Sequence, residues 1–373
     1  MIASECSPFL EVSEVADVVS NLSKSLKKSG VDVDVVIPYY AEVDTYLNKH
    51  NIEYNTIANA RLSFKNIIYS ADIIHAIIPN TNVNIYFINE PNLISNGGIY
   101  FDSKFMESED DLVDRFIFFS KAVLEVFVKK QLTNKSYDII HCHNWQTGII
   151  IQLNEVNART NPEIKKPKTL FTIHNLAKQG FSKIEVLQKL YIDLEADKRV
   201  QWHAKDANIL YTLQSIIGAD FITTTSNTYA NEIQTEQFGE GLHELLIARK
   251  EKITGILNGI DTEKYNPETE KFIYQNYNIN NYRTEKYKNR TELLKELKLA
   301  ENNKPIVAIV SKLTHKNGTD LIIESLENIT SLGFSVIILG NGEQTFETKL
   351  SKIAIENENI YFSSNYSTQL GRK

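Results

Sequence analysis

The chain has 373 residues, too many for one ordinary domain and enough for two. It is 42% hydrophobic, 23% charged and 10% aromatic, the balance of a soluble globular protein, and no run approaches the roughly 18 apolar residues that would span a bilayer. A net charge of −7 argues against a sequence-independent nucleic-acid binder, which needs a basic face, but leaves small anionic ligands open. The opening Met-Ile-Ala-Ser-Glu has neither the basic region nor the apolar core of a secretory signal. Two cysteines, Cys6 and Cys142, cannot build a disulfide framework and fit a reducing, cytoplasmic setting. Frequent Asn, Ile and Lys read as the mark of an AT-rich coding sequence rather than functional low complexity.

Short β-branched runs alternate with helical stretches, the pattern of a parallel sheet wrapped by helices. Residues 1–4 make a first strand shorter than usual. Residues 16–28 follow as an amphipathic helix, with Val18, Val19, Leu22 and Leu26 at helical spacing. Residues 31–38 and 83–89 read as strands, and 110–130 as a long helix facing the core with Leu112, Phe116, Phe119, Ala122, Val123 and Phe127. Three apolar strands ending in polar loops come next, at 138–143, 169–174 and 220–225, with a helix at 227–234. Residues 265–283 read as a linker. A second alternation then runs helix 290–297, strand 306–311, helix 319–332, strand 334–339, helix 345–355 and strand 360–363. Three strands are a meagre sheet for a domain. The second domain is therefore expected to be unfinished, in a chain clipped at both ends.

The polar strand ends form a series. In order they read Ala3-Ser-Glu-Cys-Ser-Pro-Phe9 with Ala16-Asp-Val-Val19, then His141-Cys-His-Asn-Trp-Gln-Thr-Gly148, then Phe171-Thr-Ile-His-Asn-Leu-Ala-Lys-Gln-Gly180. Tyr229-Ala-Asn-Glu-Ile-Gln-Thr-Glu-Gln-Phe-Gly-Glu-Gly-Leu242, Ile256-Leu-Asn-Gly-Ile-Asp261 and Val310-Ser-Lys-Leu-Thr314 complete it. Six strings in register over nearly the whole chain resemble the glycogen and starch synthases. The resemblance implies an α/β architecture of two Rossmann-like domains facing a cleft, the B-type glycosyltransferase fold. It puts an acceptor-side catalytic domain at 1–257 and a partial nucleotide-sugar domain at 258–373. It further implies transfer of glucose from ADP-glucose to an α-1,4-glucan with retention, with no metal and no cofactor. The strand-end placement of the motifs agrees, because open parallel sheets bind ligands beyond the carboxyl ends of their strands.

A lone histidine at the end of an apolar strand is more often a hydrogen-bonded core residue than a ligand. Within Thr-Ile-His-Asn, however, His174 matches the family's cleft histidine, which contacts the transferred sugar. His141 and His143 point to one face of a strand and could suit a metal pair, but no Cys, His or Asp cluster completes it. His141 reads as structural and His143 as lining the cleft. The family carries aspartate where this chain has Asn144, beside the developing charge of the sugar. Asparagine keeps the size and hydrogen bonding but not the negative charge, so the change should cost rate more than binding. Trp145, Gln179 and Asn258 fall at positions that the resemblance assigns to the sugar and acceptor cleft. His174, Asn144 and His143 are expected to share that cleft, facing Gly318 and Gly340.

The largest departure is the phosphate loop. The family reads Lys-Thr-Gly-Gly-Leu-Ala-Asp, whereas this chain reads Glu11-Val-Ser13-Glu14-Val-Ala-Asp17. Exchanging lysine for glutamate about 4 Å from a phosphate replaces roughly 4 kcal/mol of attraction by similar repulsion at an effective dielectric near 20. Acidic residues in a helix's first turn are also ordinary stabilisers, and that reading of Glu14 stays open. In the second domain Lys312 replaces the family's arginine, keeping the charge but losing the bidentate fork. Asn317 replaces its lysine, with Lys316 a neighbouring substitute, ahead of Gly318. Gly340-Asn-Gly342 resembles the family's glycine turn, although a bare Gly-x-Gly also serves any tight turn. These residues together predict a chain of weak or no activity as it stands. The alternatives are a non-catalytic paralogue binding glucan or a protein partner, and a glycosyltransferase with a different donor.

Overall fold

The computed structural model describes residues 1–95, 109–129, 132, 136–183, 208–301 and 303–373. The chain divides into two compact units, Met1–Gly259 and Ile260–Lys373.

The first unit is built on two four-stranded half-sheets. One runs in the order β1 (Asp34–Pro38), β4 (Asn84–Asn89), β3 (Ile67–Ile77), β2 (Tyr54–Phe64). The other runs β10 (Ile253–Gly255), β9 (Phe221–Thr224), β6 (Lys168–Ile173), β5 (Ile139–His143), all parallel. Ile2 joins them. It bridges in parallel to Val36 on one side and Cys142 on the other. The Ile2 N–H donates to the His141 carbonyl at 2.8 Å, and its carbonyl accepts from the His143 N–H at 3.2 Å. The neighbouring Val36 N–H reaches the Met1 carbonyl at 2.9 Å. The expected strand at 1–4 is thus a single bridging residue, and it sits at the centre of the sheet.

Period-two alternation sends β1 to two cores. Val35 and Ile37 join Ala3, Val15, Val19 and Phe87 on one face, while Val36 joins Ile2, Phe116, Phe119, Ile150 and Phe171 on the other. Strands covered on both faces read as uninterrupted apolar runs, which is why they were legible. Helix α1 (Glu14–Lys28) buries Val15, Ala16 and Val19, is capped by Ser13, carries Glu14 and Asp17 in its first turn, and ends on Lys27 and Lys28. Helix α2 (Ala41–Lys49) follows β1.

Several expectations need correcting. No element was anticipated between 38 and 83, yet α2 and a long antiparallel hairpin of β2 and β3 lie there. The hairpin turns at Lys65 and Asn66, both at positive φ (50° and 61°). β2 buries alternate residues only, Ala60, Leu62 and Phe64, so its apolar signal is half as dense, while β3 buries Ala71, Ile73, Ile74 and Ala76. The helix expected at 110–130 is α-helical in α3 (Glu109–Val123) and widens into a π-helical stretch at Leu124–Lys129; Lys130 lies outside the described residues.

The second unit holds a three-stranded parallel sheet of β11 (Ile306–Val310), β12 (Ser335–Leu339) and β13 (Ile360–Ser363), in that order. Helices Thr319–Ser331 and Gln344–Glu356 bury Leu326, Phe346 and Leu350 against it. The segment read as a linker consists of turns and bends with no buried residue before Tyr282, and side-chain amides order it: Asn289 of the following helix bonds both the N–H and the carbonyl of Gln275, and Asn276 reaches the carbonyls of Pro267 and Glu270. The following helix begins at Tyr282, eight residues before the expected start. Arg372 pairs with Glu270 and lies over the Tyr265 ring at 4.3 Å, tying that segment to the final helix, Thr368–Arg372.

Because the half-sheets are bridged at Ile2, the amides of Ile2, Val36 and His143 should exchange with the slowest class in the first unit. Hydrogen exchange read by NMR checks this. Fast exchange at all three would mean that the half-sheets open independently.

Candidate functional site

Two polar groups of the first unit come together at the carboxyl ends of its central strands. The first is the loop between Ile2 and α1. The Glu5 carboxylate, fully buried, accepts from the Val12 N–H at 2.7 Å, the Ser13 N–H at 3.0 Å and the Ser13 hydroxyl at 2.5 Å. Ser13 in turn accepts from the Val15 N–H at 3.3 Å as the cap of α1. The Ser7 hydroxyl donates to Glu11. Backbone donors ahead of a helix are the usual cradle for an anion. Here two of them already hold a carboxylate. Glu11 and Glu14 are exposed on the same loop.

The second group is a row of three histidines. His141 and His143 alternate along β5, their ring centroids 4.2 Å apart, and His174 follows β6 with its ring 5.3 Å from that of His143. His141 Nε2 lies 2.6 Å from the Thr172 hydroxyl, which meets that of Thr223 at 2.6 Å. His143 Nδ1 lies 3.0 Å from His174 Nε2. All three rings are buried, and burial is the first cause of their low basicity: His141 is pushed down to about 3, His174 to about 4, and His143 well below the usual value. The Glu14 carboxylate acts on His174 in the opposite, raising direction, so the acidic loop lies within its electrostatic reach. No group of three or more His, Cys, Asp or Glu among the described residues is arranged to hold a metal ion.

Asn144 follows His143 at the end of β5. It precedes helix α4 (Trp145–Thr160) with φ 57° and ψ −178°, a conformation that costs a non-glycine residue of order 1–3 kcal/mol. The surrounding bonds hold it there. Its N–H donates to the Thr172 carbonyl at 3.0 Å and its side-chain oxygen accepts the His174 N–H at 2.9 Å. Thr147 brackets His143, accepting its N–H at 2.8 Å and donating to its carbonyl at 3.0 Å.

The other expected residues divide. Gln179 donates to the Glu240 carbonyl at 2.8 Å, linking the loop after His174 to the glycine-rich turn at 239–241. Asn258 is exposed near the end of the unit. Trp145 is a correction. It was expected to line the cleft, but it is buried between Phe116 and Tyr211, with Gly180 directly against its indole. A side chain at Gly180 would collide with that ring at 2.2 Å, so Trp145 supports the loop from beneath.

In the second unit, Gly340 and Gly342 let the chain pass against the backbone after β11. A Cβ would fall 1.8 Å from the Ser311 carbonyl oxygen and 2.1 Å from that of Leu313 respectively. Lys312, Asn317 and Gly318 lie on the facing loop. The Asn317 amide bonds the Lys312 carbonyl at 2.9 Å and the Ser311 hydroxyl at 3.2 Å, and Gly318 takes φ 71°. Asn317 thus braces its own loop.

Residue patterns alone missed the anchor carboxylate of Glu5, the His143–His174 pair and the Tyr229 hydroxyl, which accepts the Leu176 N–H at 3.1 Å and steadies the loop after His174. Glu5 carried one signal, an acidic residue in an otherwise apolar and small strand end. Its partners, seven and eight residues on, could not be read from spacing.

Two outcomes are expected. Unfolded histidines gain protons below about 6.5, whereas these remain neutral to about 4 or lower, so the unfolded state binds more protons in that window. Stability should therefore be complete above pH 6.5 and fall as pH drops towards 4, by about 1.4 kcal/mol per pH unit for each histidine. Urea unfolding across the range checks it, and His174→Gln should remove one such increment from the slope. Separately, Gly340→Ala, with φ 157° and the Ser311 collision, should destabilise the second unit by about 1–3 kcal/mol in thermal unfolding.

Known proteins share this sequence pattern and fold. A family model describing the starch synthase catalytic domain matches residues 1–248. A glycogen synthase of Pseudothermotoga lettingae is 34% identical over 355 residues, covering 93% of this chain and 69% of the relative. One from Clostridium botulinum is 35% identical over 354 residues, covering 93% and 70%. The catalytic domain of starch synthase IV from Arabidopsis thaliana, solved bound to ADP and acarbose, superposes with a TM-score of 0.84 at 26% identity, over all of this chain and 74% of that one. A buried histidine row, a strained strand-end asparagine and a glycine turn pressed on backbone thus stand in a chain that belongs to the glycogen and starch synthase family.

Proposed function

We propose that this protein transfers glucose from ADP-glucose to the non-reducing end of an α-1,4-glucan with retention of configuration. The first unit would hold the acceptor and the second the nucleotide. The observation that carries the reading is the strained Asn144 bonded to the His174 backbone at the carboxyl end of the central strands. The ADP and acarbose, an oligosaccharide mimic, bound to the Arabidopsis relative support both ligand classes.

In this reading His174 and Asn144 face the transferred glucosyl group. Its transition state gathers positive charge at the anomeric carbon. Asn144 preserves the brace to the His174 N–H but offers no negative charge there. Asn144→Asp should keep that brace and raise kcat by roughly tenfold to a hundredfold with little change in KM. Lys312 and Lys316 supply positive charge for the phosphates on the second unit. On the first, Glu11 and Glu14 oppose the donor, and Glu5 occupies two backbone N–H groups. The protein is therefore expected to bind ADP-glucose weakly and to turn over slowly.

Titration calorimetry with ADP-glucose, beside incorporation of radiolabelled glucose into a glucan, tests this. The variant Glu11→Lys, Ser13→Gly, Glu14→Gly should bind ADP-glucose at least tenfold more tightly, since each charge removed near a phosphate is worth up to about 4 kcal/mol. Ser13→Gly removes the α1 cap and one of the three donors to the buried Glu5 carboxylate, at a cost of about 1–3 kcal/mol, so thermal unfolding of the variant accompanies the titration. Failure of the wild type, Asn144→Asp and the loop variant alike to incorporate glucose would overturn the reading.

A further inference from the structure

A groove of about 690 Å³, half open to solvent, lies at the mouth of the β2–β3 hairpin. It is lined by the turn after α2 at residues 51–53, by the start of β2 and by the end of β3. The end of β3 pairs with the start of β4, Ile77 with Asn84, so the groove sits at the amino edge of the parallel strands and not at their carboxyl ends. Four strand spacings of about 4.8 Å, through β4, β1 and Ile2, also separate β3 from β5. The groove is therefore roughly 20 Å across the sheet from the histidine row.

Two chains of hydrogen bonds fix its walls. In the first, the buried Asp34 carboxylate accepts from the Tyr137 hydroxyl at 2.7 Å and from the Asn84 amide nitrogen at 2.9 Å. With its nitrogen on a carboxylate, Asn84 turns its oxygen to His75. His75 Nε2 therefore donates to that oxygen at 3.0 Å, and Nδ1 is the acceptor of the neutral ring. In the second, Asp44 accepts from the Tyr39 hydroxyl at 2.7 Å and from the Asn48 amide nitrogen at 3.1 Å. The Asn48 oxygen then accepts a long bond, 3.4 Å, from the Tyr54 hydroxyl. Tyr54 is tethered at the tip of its ring while 39% of its surface stays open. Both walls are set before any ligand arrives, which lowers the entropy lost on binding.

The lining narrows the ligand class. Asn51 and Asn55 carry side-chain amides, each both donor and acceptor, and Asn55 stands directly across the hairpin from His75. The Tyr54 ring and Ile77 supply apolar surface. No lysine or arginine lines the groove and Glu53 is its one carboxylate, so a phosphate or nucleotide meets no counter-charge. A peptide strand is disfavoured as well, because the register of β2 shifts between Thr56 and Ala58 and interrupts the edge that it would extend. An open aromatic face beside amides, without a cation, suits the apolar faces and hydroxyl rims of pyranose rings. We propose that this groove is a second carbohydrate site, which holds a stretch of neutral glucan away from the point of transfer. The choice of an α-glucan rests on the function proposed above; the carbohydrate class rests on the lining. A polymer held here keeps its other segments near the strand-end site at raised effective concentration.

Maltoheptaose titrated into 15N-labelled protein reads both places at once. The backbone amides of Tyr54, Asn55 and His75 should shift, together with that of His174. Shifts at His174 without the groove would overturn the inference and leave the proposed function standing. Shifts at the groove alone would support the inference and count against the proposed function, and silence at both would overturn both. Migration through gels containing glycogen then tests the side chain. Tyr54→Ala should weaken binding by about tenfold, while Tyr54→Phe, which keeps the ring, should retain it. Unchanged migration of Tyr54→Ala would overturn the inference, and the wild-type titration decides alone if that variant unfolds. Shifts along Tyr54–Arg61 on concentrating the protein without sugar would mark a second copy on this edge, again overturning it.

Discussion

The backbone ladder around Ile2 carries the first unit. One residue pairs with Val36 and with Cys142, and through those two bridges the half-sheets become one surface with a core on each face. A parallel strand in this place needs helices above and below, which α1 supplies on one face and α3 and α4 on the other. Because Ile2 ends at the centre of the sheet, the chain leaving it must pass directly over the carboxyl ends of β1 and β5. That is where the Glu5 loop, His143 and Asn144 meet. Moving Ile2 by one residue would flip Ala3 to the opposite core and carry Glu5 away from Val12 and Ser13.

Desolvation then defines the chemistry of that edge. Three imidazoles packed side by side stay neutral because charging any one would place an ion in the interior beside its neighbours. Neutral rings can be ordered by hydrogen bonds into single tautomers, which protonated ones cannot. Glu5 shows the opposite solution, a buried carboxylate made acceptable by three donors of its own loop. The loop is thereby rigid but anionic.

The second unit uses backbone proximity instead of charge. Gly340 and Gly342 are required because Ser311 and Leu313 present their carbonyls where a Cβ would be. The same contact shapes the loop with Lys312 and Asn317, whose amide is spent on bracing its own turn.

The apolar strand runs, the helix of 319–331 and the order of motifs were determined by the sequence alone, because fully buried parallel strands and amphipathic helices write their burial into composition. The histidines and Asn144 were legible only as types at strand ends. β2 of the β2–β3 hairpin was not legible, since one of its faces meets solvent and its apolar residues alternate with exposed ones. The segment at 265–281 read as a linker because its order lies in Asn side chains bonding backbone, and composition marks asparagine only as loop-forming. Tertiary structure alone decided that Trp145 is a support and not a lining, that Glu5 closes its loop, and that His143 meets His174. Each of these depends on contacts across strands that are distant in sequence or on a turn whose direction no local pattern encodes.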